Sequence, residues 1–587
     1  MPPDLESLAR ARFDSPLTKA EIELVQRSPK GEFAVCGPNM DDQHPNNDPS
    51  KAGDWPEARH IRAALIRWLC ADEEAKQFVD SRGLQIYGAK ITDALDLSYL
   101  TVPFPLVLSK SHLTGVMKLQ AVKIPMLSLE GTWVHTIKAD SAEITGGVFL
   151  RNGFHTGHEV RLHRARIGGG LDCSKGAFRN PAQEGIAGSG RALSADGIVV
   201  GGGVSLVELY AEGEVRLSRA QIQGDLDCSR GTFENPPQKR AQGNYTTLIE
   251  GTGTALNADG IDVNGGLFLR DCHAEGQVRL ARSRTRMDLD CSRAKLTGEL
   301  NAQAAEVGGG LFWTGLVEPG RTGLDLINAS VGSLADDVKS WPTVGNLKID
   351  GFVYGRLLGP KDAKSRLAWL ALQKQFTPQP YRQLANVLRN EGNDTGAQKV
   401  LFEMERRRRT EENPPLFAKF LLHGHLERAL QLAQRALARP RNILFKYTVG
   451  YGYYPGLALL WLLALVALGF MLYRGGYYAG SFAPTDKDAY VCFTVEHRLP
   501  DHYERFHATI YSLENSFPLV KLGQVDRWQP DPSPKYLATH EEKWAFLVWH
   551  FLISPSFLRW FRWVQILSGW FLATMGIAAV TGIVRKG

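Results

Sequence analysis

A triplet of one apolar residue, any residue, and a second inward-looking residue recurs about every eleven positions through the first half of the chain. It reads Leu95-Asp96-Leu97, Leu106-Val107-Leu108, Met117-Lys118-Leu119, Leu127-Ser128-Leu129, Ile137-Lys138-Ala139, Val148-Phe149-Leu150, Val160-Arg161-Leu162 and Leu171-Asp172-Cys173. After a break it resumes at Leu193-Ser194-Ala195 and continues to Leu311-Phe312-Trp313. A short unit repeated at fixed period cannot bury its apolar face alone, so it must stack into a solenoid. Residues two apart share one face of a strand. A further apolar residue often follows five positions on, as Ile144 follows Ala139, Ile167 follows Leu162 and Ile222 follows Leu217. Inward positions therefore step by five and six, which gives two eleven-residue halves and about 22 residues per coil, with four short sides. Glycine runs between the triplets (Gly146-Gly147, Gly168 to Gly170, Gly201 to Gly203, Gly265-Gly266, Gly308 to Gly310) are expected at corners that need positive φ.

A longer period is superimposed. One inward column reads Ala139, Leu162, Ala195, Leu217, Ala258, Leu280, Ala302, and the facing one Leu150, Cys173, Leu206, Cys228, Leu269, Cys291, Trp313. Small meets large within each coil, which keeps the enclosed volume nearly constant in a close-packed interior. This alternation decides how the Leu-Asp-Cys-Ser motifs at 171, 226 and 289 are read. Their cysteines lie two coils apart, roughly 9 to 10 Å at ordinary strand spacing, whereas a disulfide needs Cα atoms within about 7 Å. They are expected to be packing residues, with Asp172, Asp227 and Asp290 as solvated groups or turn caps. The seven cysteines lack paired spacing, which fits a reducing compartment.

The period fails twice. Cys173 to Ala195 is eleven residues too long and Cys228 to Ala258 nineteen too long. Both insertions begin alike, Phe178-Arg179-Asn180-Pro181 and Phe233-Glu234-Asn235-Pro236, and should leave the same corner two coils apart. Insertions on one side of a solenoid often form its binding surface. Arg179, Asn180, Glu184, Glu234, Asn235, Lys239 and Arg240 are therefore the candidate partner-binding residues.

The divisions expected along the chain are a partly disordered segment (1–54), a capping helix (55–82), the solenoid (83–352), a helical basic region (353–446) and a membrane hairpin (447–587). The fold class is mainly β, a quadrilateral solenoid followed by helices and two transmembrane helices. Met1 to Lys30 lacks the apolar core of a secretory signal. Pro380 to Arg408 has the pattern of one tetratricopeptide-like helical hairpin, which must pack on something to be stable. Arg406, Arg407, Arg408 and Arg409, continued by Arg439 and Arg441, precede the first apolar stretch and are candidates for anionic lipid headgroups. The expected spans are about 456–473 and 563–584, flanked by Tyr451, Tyr453, Tyr454 and Tyr473 and by Trp560, Trp563 and Trp570. Arginines before the first span and Arg585-Lys586 after the second put both termini in the cytoplasm by the positive-inside rule. Trp544 to Ile553 is too short to span and is expected at the interface. A net charge of +6 is no nucleic-acid signature.

Thr448-Val449-Gly450-Tyr451-Gly452 matches the potassium-channel filter letter for letter, yet it precedes the first span and has no pore to line. The plan of two spans with an amphipathic segment between them is also that of two-helix channels, which makes Tyr511, Ser512, Glu514 and Asn515 a candidate pore loop. No nucleotide, serine-elbow or zinc-ligand motif is present, and no catalytic, cofactor or metal residue is expected. His155, His158 and His163, and His423 with His425, read as surface histidines.

The inward steps resemble the pentapeptide-repeat β-helix with a slightly longer coil. The Leu-Asp-Cys-Ser repeats, the Gly450-Tyr451-Gly452-Tyr453 to Pro455 approach to the first span, and the Tyr511-Ser512-Leu513 to Trp528-Gln529-Pro530 loop carry a resemblance over the whole chain. It is to bacterial membrane proteins with a pentapeptide-like solenoid and a C-terminal membrane hairpin. Members often bear the label "membrane-associated oxidoreductase", but no redox cofactor site accompanies it in this sequence. The leading expectation is a cytoplasmic solenoid tethered to the inner membrane that binds a protein partner without catalysis. An oligomeric two-span pore gated by the solenoid, with self-association, is the alternative, and an oxidoreductase the third reading.

Overall fold

The computed structural model describes residues 4–581 apart from 43, 185, 187, 243–244, 413–439, 441, 497, 518 and 532–550. The chain divides into two units, Met1–Val400 and Leu401–Gly587.

The first unit is a parallel β-solenoid of about 12 turns over residues 84–357, with coils of about 22 residues. Four strand columns give each coil four sides. One runs through Val148–Phe149, Leu171–Asp172, Val204–Ser205, Leu226–Asp227 and Leu267–Phe268, each paired in parallel with the next. Another stacks His155–Thr156, Ala177–Arg179, Tyr210–Glu212, Thr232–Glu234 and His273–Glu275.

The alternation of volumes extends past the two columns expected. Cys173, Leu206, Cys228, Leu269 and Cys291 are all buried. The coil of Cys228 continues with Gly231 and Phe233, and the coil of Leu206 with Leu209 and Ala211. Thr156, Phe178, Ala211, Phe233 and Ala274 lie in register, so each large ring sits between small neighbours. Cysteine plus glycine in one coil makes the room that the phenylalanine fills. The aspartates of the same motifs are turn caps: Asp172, Asp227 and Asp290 accept the Ser174, Ser229 and Ser292 N–H at 3.0, 2.9 and 2.8 Å.

The corners correct one expectation. The glycine runs do not adopt positive φ; the left-handed corner residues are instead Lys175, Glu208, Arg230, Asp271 and Arg293, with φ of 54–57°. Their signs alternate along the stack, and Arg230 meets Glu208 at 2.9 Å and Arg293 meets Asp271 at 2.7 Å. The glycine runs serve close approach. A Cβ on Gly168 would lie 2.2 Å from the Thr145 carbonyl oxygen, and one on Gly201 2.2 Å from that of Gly168.

Residues 5–54, expected to be partly disordered, close the solenoid's first edge. Helices α1 (Leu5–Arg12) and α2 (Lys19–Arg27) bury Leu5, Ala9, Leu24 and Val25. A reciprocal capping box between Thr18 and Glu21 starts α2. Glu21, fully buried, accepts the Arg62 backbone N–H at 2.9 Å and its guanidinium at 2.7 Å, while the Thr18 hydroxyl donates to the His60 carbonyl at 2.6 Å. Strand His60–Arg62 pairs with Lys90–Thr92. Polar side chains were thus signs of edge capping, not of disorder. The single helix expected over 55–82 is two, α3 (Ala63–Ala71) and α4 (Glu73–Phe78), broken at Asp72, which caps the second.

At the other end the strand Val353–Leu357 belongs to the last coil, and helices α5 (Ala363–Leu370) and α6 (Pro378–Asn390) cover it. Gln379 and Gln383 donate to the Phe352 and Tyr354 carbonyls at 3.2 and 2.7 Å, supplying the open edge with partners. Arg366 makes a buried two-pronged pair with Asp336 at 2.6 and 2.7 Å. Helix α7 (Asp394–Glu412) completes the expected hairpin.

In the second unit, α8 (Gly456–Tyr478) and α10 (Pro555–Val580) are long and apolar enough to cross a membrane, with mean hydropathies of 2.3 and 1.5. The second starts earlier than expected because Ser554 caps it and Pro555 takes its first position. The short helix α9 (Ala508–Ser516) packs between them. Tyr473, Phe482, Tyr511, Trp528, Leu558 and Phe561 form the core there. The basic tail Arg585-Lys586, Gly582 and most of 544–553 lie outside the described residues.

Candidate functional site

The insertions leave one corner, as the matched Phe-x-Asn-Pro motifs imply. Strands Ala177–Arg179 and Thr232–Glu234 lie in one column with Tyr210–Glu212 between them. The two loops are fastened identically. Asn180 Nδ2 donates to the Gly188 and Arg191 carbonyls, both at 2.8 Å, and Asn235 Nδ2 to those of Gly251 and Thr254 at 2.9 and 2.7 Å. Both asparagines are buried, so they hold the loops rather than face a partner. The loops adjoin where a Cβ on Gly190 would meet the Gly251 carbonyl oxygen at 3.0 Å. The second carries an antiparallel hairpin, Lys239–Gln242 with Tyr245–Leu248. Glu184 and Lys239 are exposed; the side chain of Arg240 lies outside the described residues.

Beside this corner runs an outward strip that the sequence reading missed, although the coil length puts its members in register: Trp133, His155, Ala177, Tyr210. Trp133 and His155 rings lie 4.1 Å apart. Ala177, the smallest of the four, stands in register between His155 and Tyr210. The exposed Arg179 guanidinium stands 5.2 Å over the Tyr210 ring, and the Tyr210 hydroxyl donates to Glu234 at 2.8 Å. Burial, with Glu234 alongside, pushes the Tyr210 phenol up to about 12. Burial first, then Arg179, holds the His155 imidazole below its ordinary value. Glu212, Glu234 and Glu275 occupy equivalent positions on three successive coils, about 4.8 Å apart. Stacked like charges repel, so this row favours a cationic neighbour.

The arginine run is threaded by acids. On α7, Glu403 holds Arg406 at 2.6 Å and Arg407 at 3.2 Å, and Glu405 holds Arg408 at 3.0 Å and Arg409 at 2.5 Å. Arg409 also reaches Asn442 at 3.0 Å and lies 4.7 Å over the Tyr451 ring. Arg439 and Arg441, like His423 and His425, lie outside the described residues. The filter-like Gly450, Tyr451 and Gly452 all have positive φ (54°, 55°, 86°), a left-handed turn that leads into α8.

The candidate pore residues are engaged inside the chain. The Ser512 hydroxyl donates to the Val466 carbonyl at 2.7 Å. Gln565, buried in α10, donates to Ser512 and Ser516 at 2.9 and 2.8 Å and accepts from Tyr473 at 2.6 Å. Asn515 accepts from Arg562 at 3.3 Å. Glu514 accepts four backbone N–H groups, those of Leu522, Gly523, Gln524 and Val525, at 2.9–3.1 Å. Gly469 and Gly569 allow this closeness, since a Cβ on either would meet Ser512 or the Ser516 carbonyl at 2.2 Å.

Five cysteines are buried, including Cys173, Cys228, Cys272 and Cys291. Among the described residues no cluster of three His, Cys, Asp or Glu side chains is arranged to hold a metal ion. No family model, no curated protein and no solved structure matches the chain. The fold and corner define a parallel β-solenoid with a fastened double insertion, followed by two helices of membrane-crossing length.

Proposed function

We propose that the chain is a membrane-tethered scaffold whose solenoid binds a protein partner at the insertion corner without catalysing a reaction. The observation that carries this reading is the identical fastening of two unequal insertions by Asn180 and Asn235, next to the strip of Trp133, His155 and Tyr210. Loops tolerated as accidents have no need of matching buried clasps, whereas a rigid paired platform does. Tyr, Trp and Arg side by side on one strip suit an anchoring contact, and the Glu212–Glu234–Glu275 row suits a basic segment beside it. The pentapeptide-like resemblance and the distribution of basic residues support a bacterial inner-membrane location with both termini cytoplasmic.

Photo-crosslinking residues placed at Arg179 and Lys239 should trap one polypeptide, and one at Arg219, on a different corner, should not. That polypeptide, purified, should bind the full chain and lose binding on Tyr210→Ala. Equal trapping at all three positions, or unchanged binding by the variant, overturns the reading.

A second reading, the oligomeric pore, is favoured by one observation: α9 lies between α8 and α10, as a pore helix does. Conductance of the purified protein in planar bilayers tests it, and a silent bilayer across varied lipid and voltage removes it.

A further inference from the structure

We propose that His135 and His158 hold a divalent metal ion of tetragonal preference, nickel(II) or copper(II), at the corner from which the insertions leave. The site depends on the solenoid alone and stands or falls separately from the protein partner.

The coil register brings the pair together. Trp133 and Val134 pair with His155 and Thr156, and Ile137 and Lys138 with Val160 and Arg161, so the turns between these strands stack. His135 stands in one turn and His158 in the next. In the following coil Phe178 pairs with Thr156 and Leu193 with Val160, and the turn between them is the first insertion. Both histidines are exposed, with ring centres 4.3 Å apart and planes at 63°. Among the described residues no carboxylate or carbonyl holds either ring. The backbone beneath them is fixed. The buried Thr156 hydroxyl donates to the His158 carbonyl at 2.9 Å, lies 3.2 Å from the His135 carbonyl oxygen, and accepts the His158 N–H at 3.3 Å. The Thr136 hydroxyl donates to the Glu159 carbonyl at 2.6 Å and ties the same two turns again. A Cβ on Gly157 would meet nothing within 4 Å, so the space beside this turn is open.

Neutral imidazole binds nickel, copper and zinc alike, so geometry has to separate them. With metal–nitrogen bonds of about 2.0–2.1 Å, two imidazoles have their centres roughly 4.5 Å apart at an angle of about 90°, and roughly 5.2 Å apart at the tetrahedral angle. The 4.3 Å between His135 and His158 matches adjacent positions on a square-planar or octahedral ion, the geometry of copper(II) and nickel(II), rather than two corners of a zinc tetrahedron. Two side chains do not saturate such an ion. No third His, Cys, Asp or Glu joins them among the described residues, so water completes the coordination. The adjoining acid, Glu159, is turned to the next coil, where it accepts the Ser194 hydroxyl at 2.5 Å. Each ring is held on its own coil, and the coils are fixed to each other by hydrogen bonds, so the second bond to the ion forms at high effective concentration.

The test uses the full chain, purified in a mild detergent without a histidine tag and titrated calorimetrically with nickel(II), copper(II) or zinc(II). A single nickel(II) or copper(II) should bind per chain, each more tightly than zinc(II). His135→Gln and His158→Gln should each weaken nickel(II) binding by about a hundredfold, since either turns a chelate into a single bond. His273→Gln, which removes a ring that meets Glu275 at 3.3 Å on a distant coil, should leave binding unchanged. Both ring residues are exposed, so their variants should melt, without metal, at the temperature of the parent chain. Electron paramagnetic resonance of the copper(II)-loaded chain should show coupling to two imidazole nitrogens, and to fewer in either variant. Failure of the parent chain to bind, binding that survives either variant, loss on His273→Gln, or zinc(II) held more tightly than nickel(II) each overturns the proposal.

Discussion

A Cβ placed on Gly231 would sit 2.7 Å from Cε2 of Phe233, so the glycine is the floor on which that ring lies. Gly176 and Phe178 repeat the arrangement at 2.8 Å. Phe233→Ala should destabilise the solenoid by about 3–5 kcal/mol through loss of burial and the cavity left behind. Gly231→Ala should cost about 1–3 kcal/mol by overpacking. In the double variant the glycine change should cost much less, because the ring it strikes is gone. Chemical denaturation of the four proteins measures this coupling, and additive costs would refute the pairing.

Arg366 and Asp336 are both out of solvent, and removing one leaves the other charged and alone. Arg366→Met should cost about 3–5 kcal/mol. Loss of amide exchange protection should begin at the final coil, where Asp336 also accepts from the Trp341 indole at 2.8 Å. Uniform loss along the whole stack would argue against a local role for the pair.

The thiols offer a direct test of the packing role given to the cysteines. Burial pushes Cys70 and Cys272 up to about 12, and Cys173, Cys228 and Cys291 are raised by the same cause. A thiol reagent at neutral pH should leave these five unmodified in the folded protein and reach all seven cysteines in denaturant. Stoichiometric labelling of Cys228 without unfolding would return it to the list of reactive groups.

Acid should weaken the solenoid. Burial holds His112, His135 and His155 below their ordinary value of 6.5, with Arg179 adding to the effect on His155. Below that value the unfolded chain binds more protons than the folded one, so stability falls as pH drops through 6.5 and is unaffected well above it. Melting temperature should decrease between about pH 7.5 and about pH 5.5, and His155→Gln should reduce the decrease. A variant with an unchanged pH response would dissociate His155 from it.

Much of the solenoid is legible in residue spacing because an inward position in a 22-residue coil meets its equivalent in the next. The triplets, the cysteine column and the shared corner of the insertions all follow from that rule. Corner chemistry does not. Lys175 and Glu208 adopt left-handed backbone without any local sequence signal, and the glycines that looked like turn formers are there to let backbones touch. Asn180 and Asn235 were visible as a repeated motif, but their spacing cannot distinguish a clasp from a contact residue. The strip of Trp133, His155 and Tyr210 needed the exact register across an insertion. Glu21 and Gln383 look like ordinary surface residues until the strand edge beside them is seen.

Those two edges carry a consequence for assembly. A stack of parallel coils is in principle a template, since its last strand offers a full row of backbone groups to any strand of another chain. Here Gln379 and Gln383 occupy carbonyls at one end, and Glu21 and Thr18 answer Arg62 and His60 at the other. Side chains rather than a further strand thus meet part of the backbone at both ends of the stack, which disfavours growth by coil addition.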